Sequence, residues 1–245
     1  MSASGRTLGF SCQAVYESVV IVFFQPCLPR YNAQQARVRE QARRWLEQDV
    51  LVLDTEATGL GEDAQLIEVA VMTLSGRVLL DTLVRPSIAV PREATLIHGL
   101  TDAHLAQAPR FPEVFATLWP LLQGRTVLAY GMAFDYRLLA HNARRHGQAL
   151  PPELERETPP VQLVDGTRLH CLMQLYAHFW QEPSLDSRNQ DGWRRKSLAM
   201  AARQQGVAVQ ETHRALPDCR LKAALVQALG EDAPATWSGL QALAG

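Results

Sequence analysis

Three short apolar segments follow one another in the first half of the chain, at residues 50–53, 66–74 and 78–84. Segments of this length are typical of β-strands, and the first, which is apolar at every position, is typical of a strand buried on both faces. Gly76, in the short link between the second and third segments, can supply the positive φ of a tight hairpin loop. The sequence therefore predicts an antiparallel meander of three strands.

Amphipathic helical patterns and two further apolar segments follow the meander. The predicted helices cover residues 111–122, 135–146, 167–179, 197–205 and 216–229. The predicted strands cover residues 126–130 and 161–164. Because each of these strands comes after a helix, we expect both to join the meander through helical crossovers. The predicted fold class is α/β, with a five-stranded mixed sheet flanked by helices.

The 245 residues suffice for one large domain with a modest extension. Residues 1–32 mix Gly, Ser and Pro with a short apolar run, and we interpret them as an N-terminal extension of unknown role. Residues 33–48, rich in Gln, Ala, Arg and Glu, predict a helix that leads into the domain. The domain is expected to cover residues 49–230, which leaves residues 231–245 as a C-terminal tail.

The charge of the chain excludes one class of function. The 24 Lys and Arg residues nearly balance the 25 Asp and Glu residues. This balance excludes the whole-surface attraction to duplex nucleic acid that a strongly basic protein has. Any contact with nucleic acid is therefore expected to be confined to a site.

The cysteines and the N-terminal apolar run bear on location. The four cysteines form no Cys-x-x-Cys pair, so neither a zinc knuckle nor a disulfide scaffold is indicated, and a reducing compartment is expected. The apolar run at residues 19–24 is far shorter than the roughly 18 residues that a membrane span needs, and no small-residue cleavage site follows it. We expect a cytoplasmic protein that does not contact a membrane.

Two acidic residues, Asp54 and Glu56, come directly after the first apolar segment. Side chains two residues apart in a strand share a face, so these two carboxylates are expected to project together. Carboxylates held side by side repel each other, and a bound cation would relieve that repulsion. A solvated loop that carries two acids by chance is the alternative interpretation.

Two further acidic residues fall at similar places in the predicted fold. Asp135 follows the fourth predicted strand and opens the next helix, near the same end of the sheet. Proline is tolerated only in the first turn of a helix, so Pro217 predicts a helix start that has Asp218 in its first turn and His213 in the loop before it. The alternatives are that Asp218 complements the helix dipole and that His213 is a surface imidazole.

In this order and at these separations, the acidic blocks resemble the motifs of the DEDDh 3′–5′ exonuclease superfamily, the family of the proofreading epsilon subunit of bacterial DNA polymerase III. The matching blocks are Asp54-x-Glu56 with Thr58-Gly59, Phe134-Asp135, and His213-x-Ala215-x-x-Asp218. The segments at residues 97–101 and 108–111 also resemble a recurrent family segment. The resemblance covers about residues 50–229 and implies an RNase H-like fold, which agrees with the sheet predicted from periodicity.

The resemblance implies a metal-dependent reaction. Asp54, Glu56, Asp135 and Asp218 would hold two Mg²⁺ or Mn²⁺ ions, which prefer oxygen ligands of this kind. Two such ions about 3.5–4 Å apart can hold a scissile phosphate, and His213 would take the proton from the attacking water. The expected reaction hydrolyses the terminal phosphodiester bond of single-stranded DNA and releases nucleoside 5′-monophosphates from the 3′ end.

The resemblance also implies contacts with the terminal nucleotide. The backbone around Thr55, Glu56 and Ala57 is expected to approach this nucleotide. Leu60 is expected to wedge against its base, and Glu93 and His98 are expected to contact it. The alternatives are that Leu60 is only core, that Glu93 is a solvated loop charge and that His98 is a hydrogen-bonded structural residue. The basic run at residues 193–196 either grips a phosphate backbone beside a stacking ring or is the solvated start of a helix.

One departure from the family pattern concerns the second motif. Many members carry His-Asn or Tyr-Asn ahead of it, whereas this chain has Tyr130 followed by Gly131. Gly131 lacks a side chain that could position substrate or orient a ligand. Because the acidic residues are intact, we expect an effect on rate or substrate preference rather than a loss of activity.

Two other functions remain open at this point. A 3′–5′ exoribonuclease that trims short RNA or RNA 3′ ends is the main alternative, and only the 2′-hydroxyl offers a feature that would separate the two substrates. A non-catalytic nucleic-acid-binding or polymerase-associated module is an alternative from another class. The expected partner is the 3′ end of a single-stranded nucleic acid, with a polymerase or another replication or repair protein as a second candidate.

Overall fold

The computed structural model describes residues 28–149, 161–210 and 213–231, with side chains from residue 33 onward. The strands in this part of the chain are β1 Leu51–Ala57, β2 Leu66–Thr73, β3 Val78–Leu83, β4 Thr126–Ala129 and β5 Arg168–Cys171. They form one five-stranded sheet in the order β3-β2-β1-β4-β5. β2 pairs antiparallel with β1 and β3, whereas β4 pairs parallel with β1 and β5.

Helices precede, connect and follow the strands. Those described are α1 Leu28–Glu47, α2 Arg92–His98, α3 Asp102–Leu105, α4 Phe111–Leu122, α5 Met132–Arg145, α6 Leu172–Trp180, α7 Leu198–Gln204 and α8 Ala215–Gly230. α4 precedes β4, and α5 lies between β4 and β5, so each parallel strand is reached through a helical crossover. The predicted fold class, a mixed five-stranded α/β sheet flanked by helices, is confirmed.

The sheet packs against a layer of helices on each face. On one face, Val52 of β1 lies in an apolar core with Trp45 of α1 and Val226 of α8. On the other face, Leu53 packs in a second core with Leu118 of α4. Burying a side chain of this size stabilises the fold by about 1.5–3 kcal/mol. Alternate side chains of β1 therefore hold this strand between the two layers.

Glycine and proline mark element ends as the sequence predicts. Gly76 adopts a φ of 98° in the β2–β3 hairpin, where its N–H donates to the carbonyl oxygen of Thr73 at 3.0 Å. Gly124, which follows α4, adopts a φ of 69°. Pro217 lies in the first turn of α8, where its missing N–H leaves no helical hydrogen bond unmade.

The prediction of a strand at residues 161–164 is wrong. β5 lies at Arg168–Cys171 instead, inside the stretch predicted as the start of a helix over residues 167–179. The N–H of Leu163 donates to the carbonyl oxygen of Thr167 at 2.8 Å, so the preceding segment turns back toward β5. β5 is an edge strand with partly exposed side chains, and it therefore lacks the apolar run that reveals a buried strand.

Other differences concern boundaries. α1 begins at Leu28, within the predicted extension, and α5 begins at Met132, ahead of the predicted start at residue 135. Sequence analysis does not predict the short helices α2 and α3. Residues 1–27 and the tail from residue 232 lie outside the described residues, so the predicted domain boundaries stay a prediction.

None of the described helices is long and apolar enough to cross a lipid bilayer. The apolar run at residues 19–24 lies outside the described residues. The expected cytoplasmic location stays a prediction.

Candidate active site

Three carboxylates meet where β1 runs beneath the start of α8. Asp54 and Glu56 lie two residues apart in β1 and so share a face of the sheet. Asp218, in the first turn of α8, completes the group. One carboxylate oxygen from each residue lies within 4.8 Å of the other two. The fold thus brings together three of the four acidic residues that the sequence analysis selects.

Asp135, the fourth acidic residue, lies beside this group rather than within it. It occupies the first turn of α5, and 4 % of its surface is exposed. The hydroxyl of Thr55 donates a hydrogen bond to Asp135 Oδ1 at 2.7 Å. Asp135 is near enough to contribute to the raised pKa of Asp54. Sequence analysis expects only a backbone role for Thr55, whereas its side chain orients Asp135.

Burial and mutual repulsion raise the pKa values of these acids. Burial raises the pKa of Asp54 to about 7, with Lys222 opposing the shift and Asp135 adding to it. Burial raises the pKa of Glu56 to about 9, and the charges of Asp54 and Asp218 add to the shift. The pKa values of Asp135 and Asp218 are also raised, chiefly by burial. Glu56 therefore retains its proton near neutral pH, and Asp54 is partly protonated there, unless a cation takes the place of the proton.

A buried cation, Lys222, lies against the carboxylates and is absent from the sequence prediction. Its side chain is 1 % exposed, and Nζ donates hydrogen bonds to the carbonyl oxygen of Leu53, at 2.8 Å, and to Asp54 Oδ1. Burial lowers the pKa of Lys222, but the nearby Asp54 charge outweighs this effect and leaves the pKa above its ordinary value. The sequence feature that could have indicated Lys222 is its spacing from Asp218, because residues four apart in a helix are neighbours on the same face.

His213 is exposed immediately before α8, with a φ of 41° that is uncommon for a residue other than glycine. The next residue is tied to β2: Arg214 Nε donates to both carboxylate oxygens of Glu68, at 3.0 and 2.9 Å, and Nη2 donates to Oε1 at 2.6 Å. The N–H of Ala215 also donates to Glu68 Oε2, at 3.0 Å. Glu68 therefore fixes the start of α8 beside His213.

Glu68 was also missed by the sequence analysis. It is 3 % exposed, and every residue of β2 is buried. Charged residues at such depth are rarely found without a partner. A lone glutamate within an apolar strand segment was thus a signal that a cation from elsewhere in the fold would reach it.

The residues predicted to contact a nucleotide differ in exposure. Leu60 is 85 % exposed, so the alternative that it belongs to the core is wrong. Glu93 is exposed in the first turn of α2. Thr55 and Ala57 are buried in β1 on either side of Glu56, so at these two positions it is chiefly the backbone that remains to approach a ligand.

His98, at the end of α2, combines a structural hydrogen bond with an unused donor. The ring is 4 % exposed, and Nδ1 accepts a hydrogen bond from the N–H of Leu100 at 3.0 Å. Because Nδ1 accepts, the ring proton lies on Nε2, which has no hydrogen-bond partner among the described residues. The backbone of Ala57 interacts with the ring without reaching hydrogen-bond geometry. A buried donor left free in this way is suited to an incoming acceptor.

Gly131, the departure from the family pattern, has a backbone explanation. It precedes α5 with a φ of 99°, a conformation that glycine adopts freely and that other residues rarely adopt. An added Cβ would meet only Met173 Cε, at 4.0 Å, so space does not exclude a side chain. The glycine thus fits the turn from β4 into α5, which carries Asp135.

The basic run before α7 is not a set of free cations. Arg194 pairs with Glu182 at 2.8 Å, Arg195 pairs with Asp191 at 2.9 Å, and Lys196 also pairs with Glu182. These ion pairs neutralise the charges within the loop itself. The structure therefore argues against a phosphate grip. The run lies in the loop that leads into α7, but the ion pairs and the 9 % exposure of Lys196 mean that it is not the solvated segment that the alternative expects.

Comparisons with known proteins agree with this architecture. The exonuclease family RNase_T matches residues 51–226. Uncharacterized exonuclease CP81 of Escherichia phage 186 is 34% identical over 197 residues, which cover 80% of this chain and 95% of the relative. DNA polymerase III subunit epsilon of Treponema pallidum is 31% identical over 90 residues, which cover 35% of this chain and 42% of the relative.

A solved structure supports the fold. The nuclease domain of 3′hExo, described as a DEDDh family member bound to rAMP, superposes with a TM-score of 0.52 at 17% identity. The superposition covers 73% of this chain and 90% of that domain. The matched family region contains the whole sheet and the four acidic residues. The chain therefore belongs to the RNase_T family of exonucleases.

Proposed function

We propose that this chain hydrolyses single-stranded DNA from the 3′ end with the aid of divalent metal ions and releases nucleoside 5′-monophosphates. The observation that carries the proposal is the group formed by Asp54, Glu56 and Asp218, whose oxygens lie within 4.8 Å of one another. Asp135 stands beside them, oriented by Thr55. Three acids drawn together at the central strand β1, with a fourth beside them, create a strong demand for cations.

The four carboxylates are the proposed metal ligands. They offer only oxygen donors, which suit Mg²⁺ or Mn²⁺. The raised pKa values of Asp54 and Glu56 fit this role, because they mean that the surrounding protein does not fully neutralise the negative charge. Two ions bound there would neutralise charge on the scissile phosphate and lower the pKa of the attacking water.

His213 is the proposed general base. Its exposed position before α8 leaves the imidazole free to meet a water beside Asp218. Imidazole is the side chain best suited to accept a proton near neutral pH. The hydrogen bonds from Arg214 and Ala215 to Glu68 support this role, because they hold the backbone that carries His213.

The proposed nucleotide pocket lies between β1 and α2. Leu60, largely exposed, would wedge against the terminal base. His98 Nε2 would donate to an oxygen of the terminal nucleotide, which would give this buried donor the partner that it otherwise lacks. Glu93 and the backbone of residues 55–57 would complete the contacts.

DNA is the first candidate substrate, and RNA is the second. The relative in Treponema pallidum is by name a subunit of a DNA polymerase, which favours DNA. The rAMP bound to 3′hExo favours a ribonucleotide in the same kind of pocket. An association with a polymerase or with another replication or repair protein, expected from the family resemblance, stays a prediction.

A time course on 5′-labelled single-stranded DNA and on RNA of equal sequence, in Mg²⁺, tests the proposal. We expect the DNA to shorten from its 3′ end, and we expect EDTA, Asp54→Ala and His213→Ala each to abolish the shortening. Matched controls are Asp63→Ala, at a fully exposed side chain, and His141→Ala, in α5, which should both retain activity.

The other outcomes are equally specific. Faster shortening of the RNA than of the DNA would show that RNA, not DNA, is the preferred substrate. Activity that persists in EDTA would refute the metal-dependent mechanism. Binding of both strands without cleavage of either would identify a binding module and refute the proposed hydrolysis.

A further inference from the structure

Lys222 places a buried ammonium group directly against the carboxylate of Asp54. Asp54, Glu56, Asp135 and Asp218 are here called the carboxylate cluster, and the charge of Lys222 acts on all four. The side chain of Lys222 is 1 % exposed, and Nζ bonds the Leu53 carbonyl oxygen, at 2.8 Å, and Asp54 Oδ1. An unpaired charge at this depth would be strongly unfavourable. The pairing with the cluster is therefore what permits a lysine at this position.

The neighbours of Lys222 indicate that packing alone does not require a lysine. Cys219, Ala223 and Val226 of the same helix lie in the apolar core between α8 and the sheet. An unbranched apolar side chain of similar length, such as methionine, would fill the same space without a charge. The charge is thus the property of Lys222 that calls for an explanation.

The charge of Lys222 changes what the carboxylate cluster presents to a cation. When all four acids are ionised, as metal ligation requires, they carry four negative charges, and Lys222 offsets one of these charges from inside the protein. A divalent ion that enters the cluster is repelled by the ammonium group, so its net attraction to the site is weaker. This effect is large in a buried setting, where solvent and salt screen charges poorly.

We infer that Lys222 is a resident counter-cation that weakens the binding of divalent ions to the carboxylate cluster. The inference rests on the proposed function, because the ligands are those of the proposed exonuclease site. Lys222 also stabilises the metal-free protein, since it opposes the mutual repulsion of the acids. Lys222 thus lowers the affinity of the site for metal ions but keeps the four acids close together when no metal is bound.

Calorimetric titration with Mn²⁺ alone, at one pH and ionic strength, tests the inference. We expect Lys222→Met to bind Mn²⁺ at least about tenfold more tightly than the parent, because a buried unit charge beside the ion is removed. The matched control is Arg220→Met, which removes the same charge from an exposed position on the same helix. Its affinity should stay within about twofold of the parent, because an exposed charge is screened.

Thermal unfolding in EDTA and in saturating Mn²⁺ gives a second readout. In EDTA, Lys222→Met should unfold at a lower temperature than the parent. Saturating Mn²⁺ should raise the unfolding temperature of Lys222→Met by more than that of the parent, because a ligand that binds the folded state more tightly stabilises it more. If Lys222→Met does not fold even with Mn²⁺, Lys222→Gln replaces it in both measurements. This second variant is neutral and keeps a donor for the Leu53 carbonyl oxygen.

The direction of the change in affinity decides the matter, because a damaged site binds metal more weakly and never more tightly. Equal or weaker Mn²⁺ binding by the folded variant overturns the inference and leaves the proposed function standing. Absence of Mn²⁺ binding to the parent overturns the proposed metal dependence and the inference with it. The two failures are therefore distinguishable.

Discussion

Replacing Glu68 with glutamine removes the anion that holds the start of α8 against the sheet. In the parent, Arg214 donates three hydrogen bonds to this carboxylate, and the N–H of Ala215 donates a fourth. Glutamine has nearly the same shape and keeps one acceptor oxygen, so the packing of β2 is preserved. The variant therefore isolates the charge of Glu68 from its volume.

The magnitude follows from the exposure of the two partners. Breaking a fully buried ion pair is unfavourable by about 3–5 kcal/mol, whereas an exposed pair contributes at most about 1 kcal/mol. The side chain of Glu68 is 4% exposed, but that of Arg214 is 39% exposed, so water can partly resolvate the guanidinium group. We therefore expect Glu68→Gln to lower the free energy of unfolding by about 2 kcal/mol, between these limits.

Urea unfolding in EDTA, followed by circular dichroism, measures this change without a contribution from bound metal. The matched control is Asp63→Asn, which neutralises an exposed pair with Arg145 at 3.0 Å. This control should change the free energy of unfolding by less than about 0.5 kcal/mol. At saturating DNA and Mg²⁺, Glu68→Gln should also lower kcat by about tenfold, because misplacement of His213 by a fraction of an ångström slows proton transfer.

A Glu68→Gln variant as stable as Asp63→Asn would refute the energetic argument. Normal kcat in a destabilised variant would refute the link between this ion pair and His213. In that case the carboxylate of Glu68 would stabilise the fold without positioning the base.

Further predictions concern the cluster and its support. Glu56 keeps its proton in the folded, metal-free protein up to a pKa of about 9, against 4.5 ordinarily, so the folded state binds more protons than the unfolded state between these values. The free energy of unfolding in EDTA should therefore fall as pH rises from 5 to 9, and Glu56 should contribute at most about 1.4 kcal/mol per pH unit to this fall. Mg²⁺ should make the free energy of unfolding depend less on pH. A free energy of unfolding that rises with pH in EDTA would contradict this prediction. Thr55→Val removes the donor to Asp135 and should weaken Mn²⁺ binding about tenfold in calorimetry, whereas unchanged affinity would deny the hydroxyl this role. Asn142→Ala removes the acceptor of the buried N–H of Leu66, which lies 3.1 Å from Asn142 Oδ1, and should lower the free energy of unfolding in urea by about 2–3 kcal/mol. A decrease of less than about 1 kcal/mol would contradict the stabilising role given to this hydrogen bond.

The central strands of the sheet could be predicted because buried strands have mostly apolar residues in a short stretch of sequence. β1 and β2 pack against helices on both faces, so residues 50–53 and most of residues 66–74 are apolar. β5 could not be located in this way, since an edge strand needs no apolar run. Residues 161–164 begin and end with valine, and this short apolar pattern is also typical of a strand. The hydrogen bonds to residues 167–169, which only the structure shows, identify the segment as part of a turn.

The acidic residues of the site could be found from their spacing, but their supports could not. Asp54 and Glu56 are two residues apart, and Asp218 is placed by Pro217, so local geometry suffices for each. Lys222 and Glu68 act on partners that lie 168 and 146 residues away in the chain. No local pattern relates such residues, although Glu68 is the lone charge within an otherwise apolar strand.

By itself, the sequence determined the main strands and helices other than β5, α2 and α3, the acidic blocks and the family that they resemble, because periodicity and short-range spacing are local properties. Only the tertiary structure decided how the charges are balanced: Lys222 against Asp54, Arg214 against Glu68, and the loop cations of residues 194–196 against their own acids. The physical reason is that burial and distance set the strength of an electrostatic interaction, and both are properties of the folded chain.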